Sequence, residues 1–113
     1  MTRLILACLI LASSPALFGQ GKRTVLIITD AEGVAGVCRQ DLTNTNSPEL
    51  RQLLTGETNA AVEGFLAGGA DEVIVWDGHG GSATLSAQTI HPRARLAVGN
   101  LGSSMLLDRR GIA

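Results

Sequence analysis

Two short apolar runs, separated by one amphipathic segment, constrain the fold of this 113-residue chain most strongly. "RTVLIIT" (residues 23–29) and "DEVIVWD" (71–77) are too short for buried helices and are bounded by charged residues, which is typical of strands buried on both faces. Between them, apolar side chains recur at spacings of three, four and seven and predict a helix over about 48–67. A strand, a helix and a strand in this order form a right-handed crossover with parallel strands. The pattern therefore predicts an α/β fold with a mostly parallel sheet.

The ends of the predicted helix carry residues that favour helix termini. Ser47 can cap the first turn, Pro48 suits the first helical position, and the Gly68-Gly69 pair suits the end. The predicted apolar face includes Leu50, Leu54, Ala61 and Phe65, with Leu53 and Ala60 beside them. Elsewhere we predict a loop at 38–47, one or two helical turns within 82–90, and a third short strand at 95–98.

The first nineteen residues have the layout of a secretory signal peptide. A short positive start precedes an apolar core at 4–12, which is too short to cross a bilayer as a helix, and small and turn-forming residues follow. We therefore expect a signal peptide at 1–19, a domain at 22–113, a secreted or periplasmic location, and no membrane span once the signal is removed. Cys38 is then the single remaining cysteine, so no intramolecular disulfide forms, and we interpret it as a non-functional thiol.

Composition argues against nucleic acid as a partner. The formal net charge is −1, and the chain contains one Trp, two Phe and no Tyr, so few rings are present on which bases could stack.

Side chains that can bind a metal follow each of the two predicted strands. They lie at the edge of the sheet where open α/β folds bind ligands. Asp30 and Glu32 come directly after the first strand, and Asp77 and His79 come after the second. In extended backbone, residues two apart point to the same side, so each pair is expected to face one way. Carboxylates brought together repel one another, and a divalent cation removes that cost. Mixed Asp, Glu and His ligands suit Zn²⁺ better than Ca²⁺ or Mg²⁺. The alternative is purely structural: a capping Asp30, a solvated Glu32 and a simple Asp77-Gly78 turn.

Four stretches together resemble the M55 metallopeptidases, the D-aminopeptidase family: "TDAEGVAGV", "ETNAAVEGFLAGGADEVIV", "DGHGG" and "HPRARLAVG". The resemblance runs from about residue 24 to residue 99. It implies that Asp30, Glu32 and His79 are ligands of a dinuclear zinc centre, and that Asp77 is a partner of a ligand rather than a ligand. His91 matches an ordinary His-Pro turn of the family and is not expected to bind metal.

The resemblance also implies a function. The family removes N-terminal residues, D-amino acids in particular, from short peptides with a water activated by the metal, and it forms ring-shaped homo-oligomers. The family's further zinc ligands lie downstream of the part that this sequence resembles. We therefore expect 22–113 to be the N-terminal part of a larger M55-type domain, with an incomplete zinc ligand set and little activity of its own. No residue is assigned a catalytic role beyond holding the metal.

Two other functions are also compatible with the sequence. A buried strand followed by Asp-x-Glu-Gly also resembles the motif of haloacid-dehalogenase-type phosphohydrolases, in which Asp30 would take the phosphoryl group, although that motif has Asp where Glu32 stands and gives His79 no task. The other alternative is a secreted remnant without catalytic activity. Loss of zinc on replacing His79 would separate the peptidase from the phosphohydrolase.

Overall fold

A computed structural model describes residues 21–99, which form a three-stranded parallel sheet with one long helix. The elements are β1 (Thr24–Thr29), a 3₁₀ helix (Gln40–Thr43), α1 (Pro48–Ala67), β2 (Glu72–Asp77) and β3 (Ala94–Ala97). The sheet order is β1-β2-β3, and both neighbouring pairs are parallel. The predicted α/β class is thereby confirmed. The signal peptide expected at 1–19 lies outside the described residues.

The helix begins and ends where the sequence predicts. The Ser47 hydroxyl accepts the amide hydrogen of Leu50, Pro48 occupies the first helical turn, and the Gly68 amide donates to the Gly64 carbonyl. The buried stripe differs in part from the prediction, because Thr58 and Val62 join Leu50 and Leu54 in it. Phe65, which was predicted to face the core, is 45% exposed.

The core lies between the helix and the sheet. Val73 and Val75 of the central strand are fully buried, and they cluster with Leu54 and Val62 of α1. β1 is less buried than its apolar sequence predicts, and Ile28 is 52% exposed. Within 21–99, β1 is an edge strand and pairs on one side only, which accounts for the difference.

The segment predicted to contain one or two helical turns forms a single hydrogen-bonded turn, in which the Ile90 amide donates to the Ser86 carbonyl at 2.9 Å, and no continuous helix. Ser82 adopts a positive φ of 62°, in the left-handed region, which interrupts helical backbone. Two amides further along, those of Thr84 and Leu85, donate to the buried Asp77 carboxylate. Within 21–99, none of the helices combines the length and the apolar character that a membrane crossing requires.

Candidate metal centre

The ends of β1 and β2 lie side by side. Their parallel register pairs Thr29 with Asp77, and the Gly78 amide donates to the Thr29 carbonyl at 3.1 Å. A Cβ at Gly78 would lie 2.7 Å from that carbonyl oxygen, so the close approach of the two chains requires glycine. The residues that follow, Asp30 after β1 and His79 after β2, are thereby placed next to each other.

Asp30, Glu32 and His79 come together at this edge, as the sequence predicts. His79 Nδ1 lies 2.8 Å from Asp30 Oδ1 and 3.4 Å from Glu32 Oε2. One ligand atom from each residue lies within 4.8 Å of the others. The two acidic side chains are exposed, whereas the His79 side chain is only 14% exposed. A partly buried imidazole thus presents one nitrogen to two solvent-facing carboxylates.

The second ring nitrogen of His79 has a different partner. Nε2 lies 2.7 Å from the backbone carbonyl oxygen of Thr43, at the end of the 3₁₀ helix. A carbonyl oxygen only accepts hydrogen bonds, so Nε2 carries the hydrogen and donates it. Nδ1 is then the nitrogen that can offer a lone pair to a cation. Sequence reasoning missed Thr43, because the contact is made by a backbone atom that leaves no pattern in the side chains.

The charges at the site shift two pKa values. Burial acts to lower the pKa of His79, but the hydrogen bonds to the Thr43 carbonyl and to Asp30, together with the negative charges of Glu32 and Asp30, outweigh it and raise the pKa above its ordinary 6.5. The hydrogen bond from His79 lowers the pKa of Asp30 below its ordinary 3.8; burial opposes this, and the Ala31 amide supports it. Without a cation, the site therefore favours a protonated imidazole between carboxylates.

One ligand atom from each of the three residues lies close enough to the others for them to share a first-row divalent metal. Ligands of tetrahedral zinc lie about 2.0–2.2 Å from the ion and hence about 3.3–3.6 Å from one another. The distance from His79 Nδ1 to Glu32 Oε2 already has this value, and the shorter distance to Asp30 is that of a direct hydrogen bond. Replacing the shared hydrogen with a cation requires only a small separation of Asp30 from His79. The donor set therefore fits zinc.

Asp77 is placed differently from the other three residues. Its carboxylate is fully buried, and Oδ2 accepts the amide hydrogens of Thr84 at 2.8 Å and Leu85 at 2.7 Å. None of the hydrogen bonds described for 21–99 joins Asp77 to Asp30, Glu32 or His79. β2 ends at Asp77 and the chain bends at His79, so the two residues do not share one extended strand, and the reason for expecting them to face the same side does not apply. The observed contacts of Asp77 hold the loop that follows the site. That Asp77 is a partner of a metal ligand stays a prediction.

The remaining candidate ligands lie elsewhere. Cys38 is exposed and is not part of the ligand cluster. His91 lies before β3, where Nδ1 accepts the Arg93 amide hydrogen, and it is likewise outside the cluster.

A cavity of about 340 Å³ opens beside the two acids. Its walls combine apolar side chains of β1 and α1 with three carboxylates, those of Asp30, Glu32 and Glu57. Glu57 also accepts the Ala35 amide hydrogen at 2.8 Å, so it fastens the loop after β1 to the helix. Sequence reasoning did not single out Glu57, which occupies an ordinary polar position of an amphipathic helix.

Comparison with known proteins identifies the family of this chain. The M55 peptidase family, described as D-aminopeptidase, matches residues 24–108. The chain belongs to the M55 peptidase family. The match covers the acidic motif, the helix and the His79 motif, and it favours the metallopeptidase over the phosphohydrolase alternative.

A solved structure has the same fold as this M55 family member. It is described as the "Zn-dependent D-aminopeptidase DppA from Bacillus subtilis, a self-compartmentalizing protease", and it matches with a TM-score of 0.62 at 24% sequence identity. The match covers 70% of this chain and 30% of that structure, so the M55 chain described here spans less than a third of its length. No curated protein matches the chain significantly.

Proposed function

We propose that this chain binds zinc through Asp30, Glu32 and His79 and supplies this part of the active site of an aminopeptidase that releases the N-terminal residue, a D-amino acid, from short peptides. The observation that carries the proposal is the meeting of these three side chains at the carboxyl edge of the sheet, with one ligand atom each within 4.8 Å of the others. When bound, the ion would supply Lewis-acid activation of a water molecule and of the scissile carbonyl. Membership of a D-aminopeptidase family supports the choice of substrate.

The chain's own residues would bind and orient the peptide. A free peptide N-terminus is a cation, and the 340 Å³ cavity places the Glu57 carboxylate near Asp30 and Glu32. We propose that the peptide ammonium enters this cavity and that its first side chain packs on the apolar wall, which Ile27, Ile28 and Ala61 provide. Leaving the ammonium at Glu57 keeps Asp30 and Glu32 free to hold the metal.

The number of metal ions that the site can bind depends on how many ligand side chains it contains. Two-metal hydrolysis requires two ions about 3.5–4 Å apart. Within 21–99, Asp30, Glu32 and His79 are the single cluster with metal-ligand spacing, and three side chains suffice for one ion. We therefore propose that this chain alone holds one zinc ion and hydrolyses D-aminoacyl substrates slowly or not at all, and that the second ion of a dinuclear centre needs additional ligands.

Location and assembly belong to the same proposal. The signal-peptide layout of 1–19 supports export to a secreted or periplasmic location. The described relative is a self-compartmentalizing protease, which supports self-association in this family. Sequencing the N-terminus of exported material and measuring its mass by light scattering would test the two statements.

The proposed function can be tested by binding, independently of turnover. We expect D-Ala-D-Ala to shift the amide NMR signals of Gly33 and Ile28 when zinc is present and not when it is removed by a chelator. L-Ala-L-Ala serves as the matched ligand and is expected to bind more weakly. Glu57→Gln should weaken binding of the peptide while leaving zinc binding intact, because it removes the charge expected to meet the ammonium. Equal shifts with and without zinc would contradict the proposal.

A further inference from the structure

The ring of His79 is held from two sides. Nδ1 faces the acidic pair, and Nε2 donates to the Thr43 carbonyl at 2.7 Å. An imidazole can bind a metal through either nitrogen, and the hydrogen bond made by the other nitrogen decides which one. The Thr43 carbonyl therefore lies where it can determine which ring nitrogen of His79 binds the metal.

The side chain of Thr43 holds that carbonyl in place. Its hydroxyl donates to the Gln40 carbonyl at 2.7 Å and accepts from Gln40 Nε2 at 3.1 Å. Thr43 is also buried. The hydroxyl thus closes the 3₁₀ helix on itself and fixes the direction of the peptide group that contacts His79.

Two further contacts tie the neighbouring residues to the body of the domain. Arg51 of α1 donates through Nε to the Thr45 carbonyl at 2.7 Å. On the other side, a Cβ at Gly80 would collide with the Thr45 side chain, and Gly80 has a positive φ of 53°. Residues 40–45 are therefore packed directly over the His79-Gly80 turn and anchored to the helix.

We propose that residues 40–45 position the metal ligand: by accepting the Nε2 hydrogen, the Thr43 carbonyl keeps the His79 ring oriented with Nδ1 as the metal-binding atom. The inference rests on the proposed zinc site. Loss of a hydrogen bond behind a ligating histidine costs about 10–100-fold in metal affinity. Thr43 is outside the cluster of Asp30, Glu32 and His79, and it acts through the orientation of His79.

The hydrogen bond can be measured without any metal. We expect the Nε2 hydrogen of His79 to exchange slowly with water in ¹⁵N NMR spectra of the metal-free chain, compared with the Nε2 hydrogen of His91, whose Nδ1 is an acceptor. Thr43→Val removes both bonds of the hydroxyl at nearly constant shape and should speed this exchange. Thr89→Val is the matched control, because the Thr89 hydroxyl also donates to a carbonyl three residues earlier, that of Ser86, away from the site. Exchange as fast as that of His91 in the wild-type chain would overturn the proposal.

Zinc affinity supplies the second readout. Thr43→Val should weaken zinc binding about tenfold, Thr43→Ser should restore it, and Thr89→Val should leave it unchanged. Urea unfolding of each variant separates loss of positioning from loss of the fold. Zinc bound to His79 through Nε2, or unchanged zinc affinity in Thr43→Val, would overturn the positioning role and leave the zinc site standing. A wild-type chain that binds no zinc would refute the proposed function, and the metal-free exchange rates would still decide whether Thr43 orients the ring.

Discussion

Lowering the pH should weaken zinc binding, and the contacts of His79 determine how steeply the zinc affinity falls with pH. The Nδ1 hydrogen lies between Asp30 and Glu32, where the cation must go, whereas the Nε2 hydrogen is donated to the Thr43 carbonyl and can stay. Zinc therefore displaces one proton from the ring, not two. Asp30 contributes no proton at neutral pH, because its pKa is lowered below 3.8.

The direction and size of the effect follow from that single proton. The pKa of His79 is raised above 6.5, so the ring is protonated at and below this pH in the metal-free chain. Zinc affinity is then expected to fall about tenfold, or about 1.4 kcal/mol, for each pH unit below the raised pKa, and to level off above it. For a histidine with the ordinary pKa of 6.5, zinc affinity would begin to fall at a lower pH than it does for His79.

Isothermal titration calorimetry measures this proton directly. Titrations of zinc into the chain in two buffers with different ionisation enthalpies give the number of protons released. We expect about one proton per zinc ion at pH values below 6.5 and a value approaching zero well above the pKa of His79. His91→Gln serves as the control and should leave the count unchanged. Two protons per zinc, or an affinity independent of pH over this range, would refute the argument.

Three further predictions concern the fold that carries the site. Leu54→Ala should lower the free energy of unfolding by about 2–5 kcal/mol in urea titrations, because Leu54 is 3% exposed in the core. The same truncation at Phe65, which is 45% exposed, should cost much less, and equal costs would argue against the observed helix orientation. Ser47→Ala should lower the free energy of unfolding by about 1 kcal/mol through loss of the helix cap, whereas Ser47→Asp should leave it nearly unchanged. Identical unfolding midpoints for the wild-type chain and both variants would contradict the assignment of Ser47 as the cap. The hydrogen bond from Arg95 lowers the pKa of Glu72 to about 2, from 4.5. The stabilisation from Glu72 should therefore be complete above about pH 4.5 and be lost as the pH falls towards about 2, and Glu72→Gln should flatten the stability profile in that window and nowhere else.

The elements that carry the site could be predicted from local patterns. The spacing of apolar residues and the Ser47-Pro48 start gave the bounds of α1, and the two short apolar runs gave β1 and β2. Parallel strands end at a common edge, so the meeting of Asp30 with His79 followed from the topology alone.

Other features depend on contacts that the sequence does not display. The Thr43 carbonyl is a backbone atom, and its approach to His79 depends on how the loop between β1 and α1 folds. The turns at 82–90 form where the buried Asp77 carboxylate binds two successive amides, and a helical pattern in that segment could not reveal this partner. The exposure of Ile28 depends on which side of β1 is paired, which a single apolar run does not specify.

The most direct test of the account is the zinc content of three chains equilibrated with zinc and then separated from the free ion. The chain contains two histidines, His79 in the acidic cluster and His91 in a turn outside it, so each serves as the control for the other. We predict about one zinc ion per molecule for the wild-type chain and for His91→Gln, and a large loss of bound zinc for His79→Gln. Zinc retained in full by His79→Gln, or lost equally in both variants, would contradict the assignment of Asp30, Glu32 and His79 as the metal centre.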